Sequence, residues 1–404
     1  MTHTPSKSAE WIERADQVIM KTYGRYPIVP VRGAGCRLWD ADGKEYLDFL
    51  AGVAVNNLGH CHPKVVRAIQ AQAATLIHCS NYYHIPTQIE LAELLCSLSF
   101  ADRAFFCNSG AEANEAAIKL ARKYSRETYG PERYAIITAA ESFHGRTMAT
   151  VSATGQAKVQ RFFDPLLHGF AHVPFNDAAA IEAAVTPHTC AVMLEPIQGE
   201  GGVNVPAPDY LRQVREICDR HGLLLILDEV QTGLGRTGKL FAHEHFGIAP
   251  DIMTLAKALA GGAPIGAMLA RETFAEAFSP GTHGSTFGGN PLMTAAALAA
   301  VHALIDEGLL ERARHMGAYL VDKLEGLQAK YPMVQEVRGI GLMVGMNLTI
   351  PGGEIVKQGH ARGLLLNVTH DTVLRFVPPL VVTASEIDEA VTILDDLLAA
   401  AGGA

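Results

Sequence analysis

Two residues capable of chemistry stand at a set separation between Leu223 and Gly262. Asp228 ends the apolar run Leu223–Leu227, and Lys257 follows 29 positions later (257 − 228) between small apolar residues. An amine attacks an aldehyde only when deprotonated, whereas free Lys titrates at about 10.4. Apolar neighbours such as Ala256, Ala258 and Leu259 disfavour the charged form and so favour a Schiff-base role. A carboxylate at a strand end can keep a heterocyclic nitrogen protonated away from water, at about 1.4 kcal/mol per pKa unit. This Lys and carboxylate pairing is the one pyridoxal phosphate needs as cofactor. A structural ion pair would use the same two residue types, so other segments must decide.

Two segments have the composition of phosphate sites. Phe105–Cys107 reads as a short apolar strand. It stops at Asn108 and Ser109, and an Ala-rich helical pattern begins at Gly110 and Ala111. Such a helix N-terminus offers free N–H groups and a hydroxyl to a phosphate dianion, and Ser109 would equally serve as a plain cap. Gly284–Pro291 places Ser285 and Thr286 in a Gly-rich turn before another helix, or is merely a loop.

Three further residues need partners. Arg146 and Arg375, the latter between Leu374 and Phe376, are cations whose burial is costly unless an anion meets them. Each can clamp a carboxylate through a bidentate fork, or make a loop ion pair (Arg146) or a strand-end solvent contact (Arg375). Glu195 ends the apolar run Ala191–Leu194, as a structural cap or as a partner for an arginine.

Six ordered segments, Ser109–Glu115, Phe143–Thr147, Glu195–Gly201, Asp228–Gly233, Lys257 and Ser285–Pro291, resemble those of the class III pyridoxal-phosphate aminotransferases over nearly the whole chain. Gly52–Pro63 and Leu374–Leu380 resemble most the acetylornithine branch of the class. The resemblance implies that Gly110 and Ala111 hold the cofactor phosphate, that Phe143 stacks on the pyridine ring, and that Val230 packs on its other face. It implies that Gln231 approaches the phenolic oxygen, that Glu229 belongs to the cofactor-binding set, and that Thr286 reaches the phosphate of a neighbouring subunit, making a homodimer with shared sites. Without the motif, Phe143 would read as core. For substrates it implies Arg375 on the α-carboxylate, Arg146 on the distal carboxylate of glutamate or 2-oxoglutarate, and Ser285 on an acylornithine. Glu195 is implied as a switch that pairs with Arg375 while the amine donor is bound.

The implied reaction moves the side-chain amine of N2-acetyl-L-ornithine to 2-oxoglutarate, with Lys257 as Schiff-base former and then proton carrier. The products are N-acetylglutamate 5-semialdehyde and glutamate, formed in ping-pong order. Ornithine, 4-aminobutyrate and succinyldiaminopimelate aminotransferases would keep the same cofactor residues, as would a non-catalytic binding protein on the same fold.

Composition sets outer bounds. A chain of 404 residues, 49% hydrophobic and 19% charged, can bury a large core. A net charge of −9 argues against nucleic acid or an anionic membrane as partner. Seven cysteines without a Cys-x-x-Cys pair fit a reducing compartment. The polar start and the lack of an apolar run of ~20 residues predict a cytoplasmic protein. His60-Cys61-His62 lacks the further ligands a zinc site requires, so no metal is expected. Gly233–Gly238 lacks the order and ending of a nucleotide loop.

Apolar strands alternating with helices from about 50 to 290 predict an α/β fold. Tyr134–Thr138, Ala191–Leu194 and Leu223–Leu227 read as buried parallel strands, and Ala111–Tyr124 and Tyr210–His221 as helices. The ligand site belongs beyond the carboxyl ends of those strands. Arg338–Met346 and Gly363–Leu380 read as strands, followed by a helix at Ser385–Ala400. Residues 51–303 form the large, mainly parallel sheet domain in this reading. Residues 1–50, with a hairpin at Cys36–Tyr46, join 304–404 in a smaller α+β domain, and the resemblance implies fold type I of the pyridoxal enzymes.

Overall fold

The computed structural model describes residues 6–402. Its centre is a seven-stranded sheet in the order Arg103–Cys107, Gly266–Ala270, Ile252–Leu255, Leu224–Asp228, Thr189–Leu194, Ala135–Ala139, Phe170–Val173. The five strands from Ile252–Leu255 to Phe170–Val173 are mutually parallel, and Gly266–Ala270 alone runs antiparallel to both of its neighbours.

Side chains of a strand alternate between faces, so a strand buried on both faces is apolar throughout. Ala191 and Met193, with Leu224 and Ile226, pack against Ala116, Ala117, Leu120 and Ala121 of the helix Gly110–Tyr129. Val192 and Leu194, with Leu225 and Leu227, face Leu211, Val214 and Ile217 of the helix Tyr210–His221. Each fully buried Leu or Ile contributes about 1.5–3 kcal/mol, so both helices are pinned and the strand ends that carry function are pinned with them. The stretch of alanines lets the longer helix lie close to the sheet.

Two four-stranded sheets flank this core. In one, Arg37–Asp40 and Glu45–Asp48 form the expected antiparallel hairpin, and Leu364–Leu365 adds in parallel to Glu45–Asp48. Residues from both chain ends therefore share a sheet. The other sheet has the order Val334–Ile340, Met343–Leu348, Val373–Phe376, Asn367–Thr369. The stretch expected to be strand from Gly363 to Leu380 is thus three short strands in two sheets. It stops at Phe376 because Pro378 and Pro379 lack the N–H a ladder needs. Among the described residues no single helix is long and apolar enough to cross a membrane.

Candidate active site

Beyond the carboxyl ends of the parallel strands lies a cavity of about 380 Å³. Ser109, Gly110, Ala111, Phe143, Arg146, Glu195, Asp228, Val230, Gln231 and Lys257 all line it. Residues spread over 148 positions (257 − 109) meet there because they lie at strand ends or in the loops and turns that follow the strands.

Asp228 is 3% exposed, and its Oδ2 accepts from Asn114 Nδ2 (2.7 Å) and His144 Nδ1 (2.8 Å) while Oδ1 accepts from the Val230 amide (3.0 Å). Asn114 is held in turn, donating to the His144 carbonyl and accepting from Thr254 Oγ1, each at 2.7 Å. Burial opposes charge on His144, but the hydrogen bond to Asp228 and its attraction outweigh that and raise the imidazole above its ordinary value. The carboxylate is therefore fixed in place by three donors, one of them an imidazole whose charged form it favours.

Lys257 opens a single 3-10 turn, Lys257–Ala260, with φ of +41°. A side chain in this left-handed region costs about 1–3 kcal/mol, strain the surrounding core holds. Burial and then the nearby Arg375 lower the Lys257 amine below its ordinary value, against the pull of Glu200 and Asp228.

Ser109 does cap its helix, its Oγ accepting from the Glu112 amide at 3.3 Å. The amides of Gly110 and Ala111, the first two of the helix, have no acceptor among the described residues, which leaves them for an anion. Gly110 is required there, since a Cβ would stand 2.7 Å from Val230 Cγ1.

Two expectations are corrected. Glu195 does not face Arg375. It accepts from the amides of Phe143 (3.0 Å) and Gly199 (3.2 Å), and burial, with Asp228 nearby, pushes it up to about 7. The partner of Arg375 is Glu200, Nη1 to Oε1 at 2.5 Å. Although burial disfavours its charge, Arg375 and Lys257 hold the Glu200 carboxyl below its usual range. The reason is position: Glu195 still belongs to the strand end, whereas Glu200 lies on the loop that reaches the outer sheet. Glu229 is the second correction. Its carboxylate turns away from the cavity to His243 Nδ1, the Ala242 and His243 amides and Thr232 Oγ1, because it follows Asp228 directly and successive side chains oppose each other.

Arg375 is 1% exposed and reaches the cavity wall through Glu200 and Gln231, the latter at 3.5 Å. Arg146 is exposed, sits 5.5 Å from the Phe143 ring and has no carboxylate partner among the described residues. Ser285 and Thr286 line a different cavity, beside Tyr82 and Gln88, although Ser285 Oγ accepts from Asn108 Nδ2 at 3.3 Å. His60 and His62 take separate carboxylates, Asp48 and Glu307, and no group of three metal-ligating side chains occurs among the described residues.

Sequence reading passed over Asn114, His144 and Glu200. Each had a signal. Asn114 is a polar residue four after Gly110, on the Ala-rich inner helix face; His144 adjoins Phe143; Glu200 is a second carboxylate in Glu195–Gly201.

The family model "Aminotransferase class-III" matches residues 18–398. The acetylornithine aminotransferase of Caldanaerobacter subterraneus subsp. tengcongensis is 57% identical over 94% of this chain and 97% of its own. Among solved structures, the ornithine aminotransferase of Toxoplasma gondii ME49 superposes with a TM-score of 0.95 at 37% identity, covering 98% of this chain and 96% of its own. The acetylornithine aminotransferase of Elizabethkingia anophelis does so with a TM-score of 0.87 at 37% identity, covering 97% and 99%. On that match and on the relatives' identity over nearly the whole chain, the chain belongs to the class-III aminotransferases.

Proposed function

We infer that this enzyme transfers the side-chain amine of N2-acetyl-L-ornithine to 2-oxoglutarate, using pyridoxal phosphate and giving N-acetylglutamate 5-semialdehyde and glutamate. The cavity fits that cofactor: two acceptor-free amides at a helix N-terminus for the phosphate, a fixed carboxylate for the ring nitrogen, and a Lys of lowered pKa. When bound, the cofactor serves as the electron sink for the carbon losing its proton. In this reading Ser109, Gly110 and Ala111 hold the phosphate, Phe143 and Val230 cover the two ring faces, and Gln231 stands beside Arg375. Lys257 carries the proton, since burial and Arg375 favour its neutral amine, the form that acts as a base. Glu229 is left with a supporting role behind the loop.

One observation carries the choice of substrates: beside the same site stand a buried arginine already paired with Glu200 and an exposed arginine with no carboxylate partner among the described residues. The terminal carbon of an ornithine-type donor bears no carboxylate, so the Glu200 pairing satisfies Arg375, while Arg146 takes the distant carboxylate. Glutamate and 2-oxoglutarate carry one carboxylate at the reacting carbon, which claims Arg375, and another at a distance for Arg146. The acetyl group rests on the relatives' identity. Ser285 is placed on the acyl end.

We propose two chains per functional unit, with Thr286 completing the neighbour's site. Thr286 lines a cavity apart from Lys257 beside the exposed Tyr82, and Phe287 next to it is likewise exposed. A sedimentation mass of one chain would refute this. We place the enzyme in the cytoplasm, to which the seven free cysteines are suited.

A panel of amine donors with 2-oxoglutarate and product identification tests the assignment. N2-acetylornithine should exceed ornithine and 4-aminobutyrate in kcat/KM by at least about tenfold, the discrimination that pocket contacts can supply. Preference for either of the others overturns it. Glu200→Gln, which leaves Arg375 unneutralised, should slow the amine-donor half-reaction by about tenfold, the weight of one charged hydrogen bond. The glutamate half-reaction should change far less, and equal effects on both would remove the neutralising role.

A further inference from the structure

Arg236 is 0% exposed and meets no carboxylate among the described residues. Its Nη1 donates to the carbonyls of Leu342 (2.9 Å) and Pro378 (2.5 Å), its Nη2 donates to Asn57 Oδ1, and its Nε has no partner among the described residues. Burial pushes the guanidinium down to about 9. A buried cation without a counter-charge is costly, and an apolar residue would fill the space at less expense. What Arg236 fastens accounts for its presence.

Pro378 lies three residues past Arg375 (378 − 375), at the exit of the strand Val373–Phe376. Leu342 sits in the turn before Met343–Leu348, the strand on which Gly345 registers with Arg375. Arg236 is itself five residues past Gln231 (236 − 231), on the loop that leaves Asp228. The Leu342 amide donates back to the Arg236 carbonyl at 3.0 Å. Asn57 ties the same pieces, donating to the Leu234 carbonyl and accepting from the Leu380 amide. Gly341, at φ of +60°, is so close that a Cβ would stand 2.4 Å from the Thr237 carbonyl carbon. One guanidinium thus joins the segment bearing Arg375 to the segment bearing Asp228.

We propose that Arg236 is a positioning residue that sets where the Arg375 guanidinium stands relative to Asp228 and Lys257, and so governs selection for a carboxylate on the reacting carbon. This rests on the reading of Arg375 as the carboxylate site. A planar fork with three acceptors fixes rotation as well as distance, which the point charge of Lys cannot do. Misplacement of about 1 Å at a reacting centre costs up to about 10²-fold.

The test uses holoenzyme of Arg236→Lys and, because that change puts folding at risk, Asn57→Ser, which removes one acceptor of Arg236 together with the donor to the Leu234 carbonyl and keeps the arginine itself. Arg375→Lys is the reference. Glutarate, an unreactive dicarboxylate, is titrated for binding, and each half-reaction is followed separately by cofactor absorbance. In Arg236→Lys glutarate binding and the glutamate half-reaction should weaken by about tenfold or more, with the amine-donor half-reaction within about threefold and the resting absorbance unchanged. Asn57→Ser should shift both readouts in the same direction by less. Unchanged glutarate binding, or equal loss in the two half-reactions, overturns the proposal. If Arg375→Lys binds glutarate normally, the carboxylate reading beneath it fails; if only Arg375→Lys loses binding, the fault lies with Arg236 alone.

Discussion

Lys257→Ala is expected to lower turnover by at least about 10⁴-fold, the upper range for loss of a positioned acid–base group, and to abolish covalent attachment of the cofactor aldehyde. The size follows from one side chain having two tasks. Its amine is kept below its ordinary pKa by burial and by Arg375, and its left-handed backbone at φ of +41° is locked between Ala256 and Ala258, both buried. Arginine cannot replace it, since a guanidinium stays charged and provides no free amine. A small primary amine added to the alanine variant should restore part of the proton transfer, because the cavity of about 380 Å³ then has room beside the substrate. Absorbance of the purified variant and single-turnover kinetics are the measurements. An alanine variant that keeps more than about 1% of wild-type turnover would end the assignment of Lys257 as base.

Much of this was legible in the chain because the strands advertise themselves. Ala191–Leu194 and Leu223–Leu227 are apolar at every position, and a strand can be so only when both faces are covered; the structure covers them with Gly110–Tyr129 and Tyr210–His221. Once those strands are placed, Glu195 and Asp228 must sit at the site edge, while Ser109 and Lys257 follow from the strands ending at Cys107 and Leu255. Pairings across long sequence separations were not legible. Arg375 and Glu200 are 175 positions apart, and nothing local distinguishes Glu200 from Glu195 as the partner; the loop's path to the outer sheet decides it. Glu229 was misread for a simpler reason: adjacency in sequence puts neighbouring side chains on opposite sides, and its ligands, His243 and the Ala242 amide, belong to a later turn. Arg236 was read only as part of a glycine-rich loop, because its acceptors are carbonyls, which carry no side-chain signature.

Asp228→Asn is expected to cost about 10³-fold in turnover, on the basis of about three pKa units, or about 4 kcal/mol, of lost stabilisation for a protonated ring nitrogen. The change is nearly isosteric, so packing survives and the effect is electrostatic. Asn114 Nδ2 and His144 Nδ1 both donate to the present Oδ2, so the new amide must turn its oxygen toward them. Its NH₂ then takes the place of Oδ1, where a donor meets the Val230 amide, another donor. A second readout separates this from unfolding. The Asp228 pairing raises the folded-state pKa of His144 above its ordinary value of 6.5. Its contribution to stability is therefore fully present below pH 6.5 and lost as pH rises through the folded value. Thermal denaturation of cofactor-free wild type and Asp228→Asn across that window should show the wild-type advantage shrinking with rising pH, while the variant, having no charge to hold the imidazolium, lacks this dependence. A stability gap independent of pH would mean that Asp228 and His144 do not share a charge, and the fixed carboxylate at the heart of the site would have to be explained by hydrogen bonds alone.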